Sequence, residues 1–152
     1  MKNILLSLAL GFCASLAQAS GFLPLDRATA RTLTSSASVR QPTAVILWSS
    51  DCPHCKKLMD QLAALTRKHP QLRIVSIAAE PASPTLGALL DQRHLPGLRY
   101  AYGDDAPEAL AYALDPDWHG EMPRAYLFDG KGKRTVFSGV QPPAVLRQGL
   151  GL

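Results

Sequence analysis

Residues 52 to 55 read Cys-Pro-His-Cys, placing two thiols three positions apart in a chain of 152 residues. Three chemistries use such a pair: reversible disulfide exchange, metal ligation and a structural crosslink. The crosslink is the weakest reading, because a bridge over so short a loop removes little entropy from the unfolded chain. For a metal, the two sulfurs and His54 could supply three ligands to zinc or copper(I). His54, however, lies between the cysteines on a helix start, where its ring diverges from the sulfurs, and the chain has no second cluster of ligands. Haem attachment wants a histidine directly after the second cysteine, where Lys56 stands. Redox exchange is the leading reading, with a copper or zinc binding module on the same cysteines as the alternative. No cofactor is expected.

The exchange reading has a physical basis in the helix that Pro53 opens. Proline suits the first helical position, since its missing N–H would be unpaired there anyway. Cys52 is then the N-cap, and its sulfur occupies the place where a capping oxygen would accept backbone N–H groups. Those donors, the positive helix end and a protonated His54 all favour a thiolate, which is a better nucleophile and a better leaving group. Cys55 lies one turn along on the same face and can reach Cys52. Lacking the donors, it stays protonated until it resolves a mixed disulfide.

Certain elements must hold this turn in place. "TAVILW", Thr43 to Trp48, is a continuous apolar run of strand formers, as expected of a strand covered on both faces. The helix from Pro53 carries Leu58, Leu62 and Leu65 on one face, has Arg67, Lys68 and His69 near its negative end, and stops before Pro70. Leu72 to Ala79 is a second buried-type strand, so strand, helix and strand form a parallel βαβ unit.

Ser83-Pro84 opens another helix with Leu86, Leu89 and Leu90 inward, ended by Pro96-Gly97, and Leu98, Tyr100 and Tyr102 alternate as a strand. Asp105 and Glu108 resemble a capping box for a short helix burying Leu110 and Leu114. A polar loop from Asp115 to Arg124 leads to the hairpin of "AYLFD" and "RTVFSG" around Gly130 to Lys133, and Ala144 to Leu150 forms a final helix. Residues 20 to 43 promise at most one irregular strand. The sum is one α/β domain, a mixed central sheet with helices on both faces, whose chemistry sits beyond the strand carboxyl ends.

Export frames the cysteines. The first residues combine Lys2, an apolar run from Ile4 to about Leu16 and the small-residue pattern Ala17-Gln18-Ala19, the form of a secretory signal cut after Ala19. The run is too short to span a bilayer. Leu10 to Cys13 only loosely resembles a lipidation site, since bulky Phe12 stands where a small residue belongs. Residues 20 to 152 then form the domain, with two cysteines in an oxidising compartment. The formal charge of +4, without a long basic run, gives no case for nucleic acid.

Two stretches carry a resemblance, "AVILWSSDCPHC" from Ala44 and "MPRAYLFDGKGKRTVFSGV" from Met122. With the elements between them, the chain resembles the thioredoxin-like thiol:disulfide oxidoreductases, in layout most like the exported TlpA and ResA branch, with a CPHC motif similar to that of DsbA-type oxidants. The resemblance implies a thioredoxin-like fold, Cys52 as nucleophile, Cys55 as resolving thiol, and a cis Met122-Pro123 bond facing them. By the same resemblance Pro53 and His54 tune the pair, Met122 offers its backbone to an extended substrate, and Trp48 takes the aromatic position beside the motif, where it borders the substrate groove, fills the strand-end core, or both. Trp118, just before Met122-Pro123, could line that groove or simply sit in a surface loop. His119 stands beside Trp118 and could share that role, whereas His69 and His94 read as helix-end residues. The partners implied are thiols and disulfides of exported proteins and a membrane redox partner; the oligomeric state stays open, with a monomer favoured. One departure stands out: where such proteins often bury an acid, six residues before the first cysteine, this chain has Ile46. The scaffold resembles reductants and the Pro-His pair an oxidant, so the direction of exchange stays open.

Overall fold

The computed structural model describes residues 21–35 and 39–152. They form β1 (Leu23–Leu25), α1 (Arg27–Thr34), β2 (Thr43–Trp48), α2 (Pro53–Lys68), β3 (Arg73–Pro81), α3 (Pro84–Gln92), β4 (Leu98–Tyr102), α4 (Pro107–Leu114), β5 (Arg124–Phe128), β6 (Arg134–Ser138) and α5 (Pro143–Leu150). The expected signal segment, its cleavage after Ala19 and the thiol of Cys13 lie outside the described residues. Among those described, no helix is long and apolar enough to cross a membrane.

The strands make one six-stranded sheet in the order β1-β4-β3-β2-β5-β6. β2 lies inside it, parallel to β3 and antiparallel to β5, which itself pairs antiparallel with β6. Its position explains its composition: all six side chains are buried, because both sheet faces are covered. Ala44, Ile46 and Trp48 face a core with Leu58, Met59 and Leu62 of α2, Leu86 and Leu90 of α3, and Leu146 and Leu150 of α5. Val45 and Leu47 face the opposite core, with Ala30 of α1, Leu110 and Leu114 of α4, and Tyr126. Each large aliphatic side chain so placed contributes about 1.5–3 kcal/mol relative to exposure, which anchors the strand from which the Cys-Pro-His-Cys turn departs.

Several expectations need correction. The segment before β2 holds a helix as well as a strand: Asp26 caps α1, accepting from the Thr29 N–H at 2.7 Å. That hydrogen bond holds the Asp26 carboxyl below its ordinary range. The helix is easy to overlook because it buries only Ala30 and Thr34. The capping box does not form. Ala106 is the N-cap of α4 and makes no side-chain cap, while Asp105 accepts from the Arg27 N–H at 3.1 Å and pairs with the Arg27 guanidinium at 3.2 Å. A partner from α1 therefore takes the carboxylate that the local pattern assigns to a cap. α3 ends at Gln92, short of Pro96, and Leu89 is only partly buried. Leu98 opens β4 but is exposed. β3 runs on to Pro81, two residues past the apolar run.

Candidate active site: the cysteine pair on the first turn of α2

β2 ends at Trp48, and three residues later the chain enters α2 through Cys52 and Pro53. Cys52 has extended backbone angles, φ −88° and ψ 104°, and is the N-cap. Its sulfur accepts the Cys55 N–H at 3.0 Å, in the position a serine or aspartate oxygen takes at other helix starts. The two cysteines are joined as a disulfide with their Cα atoms 5.3 Å apart. Cys52 is partly exposed while Cys55 is 1% exposed, so an incoming sulfur can reach only the first of the pair. On reduction the N–H that now meets a neutral sulfur would meet a thiolate, a charge-assisted and stronger bond.

Around the pair, Pro53 and His54 are exposed. His54 lines a groove of about 610 Å³ with Lys57, Gln61, Gly139, Gln141 and Pro142. The Met122–Pro123 peptide bond, just before β5, is cis. The Pro123 carbonyl accepts the Gly139 N–H at 2.8 Å, and the partly buried Met122 packs against both cores. Among the described residues Met122 enters no strand pair; β5 begins at Arg124.

The approach to this proline is pinned by charge. Arg124 donates from Nη2 and Nε to Asp115 Oδ2, at 2.6 and 3.1 Å, and from Nη1 to the Ser138 hydroxyl. Tyr126 adds its hydroxyl to the same Asp115 oxygen. Burial pushes the Asp115 carboxyl up, but the Arg124 guanidinium, the Asp117 N–H and the Tyr126 hydroxyl outweigh it and hold the group below the ordinary carboxylate range. Burial, reinforced by the Asp115 charge, pushes the Tyr126 phenol up instead.

No protein-family model matches the chain, and no curated protein matches it. Solved structures do. A thioredoxin-family thiol:disulfide interchange protein from Chlorobium tepidum superposes with a TM-score of 0.60 at 18% identity, over 76% of this chain and 82% of that one. A secreted Mycobacterium tuberculosis disulfide oxidoreductase, homologous to E. coli DsbE, gives 0.58 at 15% identity, over 79% and 84%. StoA from Bacillus subtilis gives 0.54 at 19% identity, over 74% and 84%. The chain has the thioredoxin-like fold.

Within that fold the expected site residues separate into groups. Cys52, Pro53, His54 and Cys55 lie together at the start of α2, and Met122 and Pro123 immediately precede β5, the strand paired with β2. Trp48 is 0% exposed, so it offers substrate no surface and is a core residue; its Nε1 is buried without a hydrogen-bond partner. Trp118 is partly buried against the second core, and its Nε1 donates to the Glu121 carbonyl at 2.8 Å, which shapes the turn before Met122. His119 is exposed. His69 caps the end of α2, and His94 follows α3 with a φ of 51°.

Ile46 fills the position of the common buried acid and is 1% exposed, beside Ser76 and Ala125 in register. The Ser76 hydroxyl is buried without a partner. Among the described residues no group of three His, Cys, Asp or Glu side chains could hold a metal ion, and the exposed His54 does not join the sulfurs. Sequence reasoning missed Glu80, Asp115 and Arg124. Glu80 carried one usable signal, an acid just past a buried strand, at the sheet end where such folds keep their chemistry.

Proposed function

We propose that the protein is an exported thiol:disulfide oxidoreductase that exchanges disulfides with cysteines of exported proteins. The observation that carries this reading is the Cys52 sulfur: partly exposed, bonded to a buried Cys55, and hydrogen-bonded to the first turn of α2. Export is supported by the signal-like residues 1–19 and by the secreted thioredoxin-like neighbour.

From the disulfide state, a substrate thiolate attacks Cys52 Sγ and Cys55 leaves, taking up a proton. A second substrate thiolate then attacks the substrate sulfur of the mixed disulfide, and Cys52 leaves as a thiolate. Two substrate thiols end as one disulfide while the protein disulfide ends as a dithiol; the reverse sequence reduces a substrate disulfide. The helix start assists whichever step creates the Cys52 thiolate. Pro53 and His54 border the sulfur, and the Met122 backbone, outside any strand pair, offers its N–H and C=O to an extended substrate segment. A membrane redox partner returns the pair to its working state.

The decisive measurement equilibrates the purified protein with glutathione buffers. A defined two-electron potential supports exchange, and its value sets the direction: a strongly oxidising one means disulfide formation, a low one reduction. Failure to exchange with glutathione would sink the proposal.

A further inference from the structure

Between the end of β2 and the nucleophile the chain has only Ser49, Ser50 and Asp51, and each is tied down. Ser49 donates its hydroxyl to Asp51 Oδ1 at 2.7 Å, and the Cys52 N–H donates to the Ser49 carbonyl at 3.3 Å. Ser50 is held from outside the turn. Its backbone N–H donates to Glu80 Oε1 at 2.6 Å and its hydroxyl to Glu80 Oε2 at 3.1 Å, so both carboxylate oxygens serve one residue. Glu80 comes from β3, which pairs with β2 as far as Trp48 opposite Ala78 and then continues past the end of β2. Its pairing with β4 shifts register between Ala78 and Pro81, which leaves Ala79 and Glu80 outside that ladder.

We propose that Glu80 is a positioning residue of the redox site: its carboxylate clamps Ser50 and thereby keeps the Cys52 sulfur over the first turn of α2. The inference rests on the exchange function proposed above. The clamp matters because the thiolate preference of Cys52 depends on alignment with backbone donors, and alignment is lost when the preceding residues are free to rotate. Fixing each such residue costs chain entropy, and two hydrogen bonds to a charged acceptor offset this at Ser50. The carboxylate also adds a negative charge near the sulfur, which by itself opposes a thiolate. Position and charge therefore act in opposite directions, and two substitutions separate them.

Glu80→Ala removes both. With the clamp dominant, the acid dissociation of Cys52, followed by thiolate absorbance, weakens about tenfold, and the equilibrium with glutathione moves up to about tenfold toward the protein disulfide, some 30 mV less oxidising. Glu80→Gln keeps an acceptor for the Ser50 N–H and loses the charge; it stays within about threefold of the parent or shifts toward the oxidising side. Ser50→Ala cuts one of the two bonds without touching the charge and falls between parent and Glu80→Ala, which keeps the test open if Glu80→Ala does not fold. A purely structural role predicts something else: a lower melting temperature for Glu80→Ala and Ser50→Ala with thiol acidity and glutathione equilibrium unchanged. That result overturns the proposal while leaving the exchange function standing; a parent protein that does not exchange with glutathione at all removes both.

Discussion

Arg124, the residue after Pro123, sets Nε and Nη2 on a single oxygen of Asp115, a residue that also ends α4. Asp115 is 7% exposed, and its other oxygen accepts the Asp117 N–H at 3.1 Å. One carboxylate thus joins the end of a helix, the loop that carries Trp118, and the strand that pairs with β2. Asp115→Asn leaves the partly buried Arg124 without its counter-ion and should cost up to about 3 kcal/mol at neutral pH, read by denaturant unfolding.

The same carboxylate sets a pH dependence. Its folded-state pKa is held below the ordinary value. Its stabilisation is therefore complete above the unfolded value of about 3.9 and is lost as pH falls through the folded one. Unfolding followed across this range should show the gap between parent and Asp115→Asn narrowing below about pH 4; a gap that stays constant would remove the ion pair as its cause.

The unequal exposure of the two sulfurs predicts unequal reactivity. After reduction, a short pulse of alkylating reagent at neutral pH should label Cys52 and spare Cys55, which is 1% exposed. Mass mapping decides the matter. Cys52→Ser should abolish exchange, and Cys55→Ser should accumulate mixed disulfides with partner proteins, because nothing then resolves them. Preferred labelling of Cys55 would invert the assigned roles.

His54 is exposed at the second position of α2 and borders the groove beside the pair. A cationic imidazole there favours a Cys52 thiolate and so makes the disulfide more oxidising. His54→Ala should move the glutathione equilibrium by about threefold toward the disulfide, some 15 mV, with no loss of folding stability. An equilibrium left unchanged by His54→Ala would assign the acidity of Cys52 to the helix alone.

Beneath the pair, Ser76 and Ile46 face each other in register on β3 and β2. The Ser76 hydroxyl is buried with no partner, so Ser76→Ala should be neutral or stabilising by up to about 1 kcal/mol. Ile46→Asp places an acid where thioredoxin-like proteins often bury one but loses a packed side chain and buries a carboxyl, at about 4 kcal/mol or more. Burial raises that carboxyl's folded pKa above its unfolded value, so the variant should lose further stability as pH rises from about 4. Thermal unfolding of both variants across pH tests the pair.

Much of this protein was legible because its signals are local. Six consecutive strand formers marked β2, and Cys52-Pro53 followed by leucines at helical spacing marked the start and inner face of α2. The glycines between two apolar runs marked the β5–β6 hairpin. Each signal depends on residues one to four positions apart, and the physics that reads it, capping, periodicity and turn geometry, acts over that distance.

What the chain alone could not specify involves partners brought together by sheet order and register. Asp105 has the spacing of a helix cap, yet it binds Arg27 because β1 pairs with β4 and carries α1 to the loop after it. Trp48 has the position of a groove residue, yet helices close over it. Glu80 reaches Ser50 only because β3 lies parallel to β2 and outlasts it, and Asp115 finds Arg124 across a loop without regular structure. The sequence by itself determined that two sulfurs sit at the start of a helix after a buried strand. Which side chains hold that start in place was decided by the tertiary structure alone, since a hydrogen bond between residues 30 positions apart leaves no spacing to read and exists only once the strands have paired.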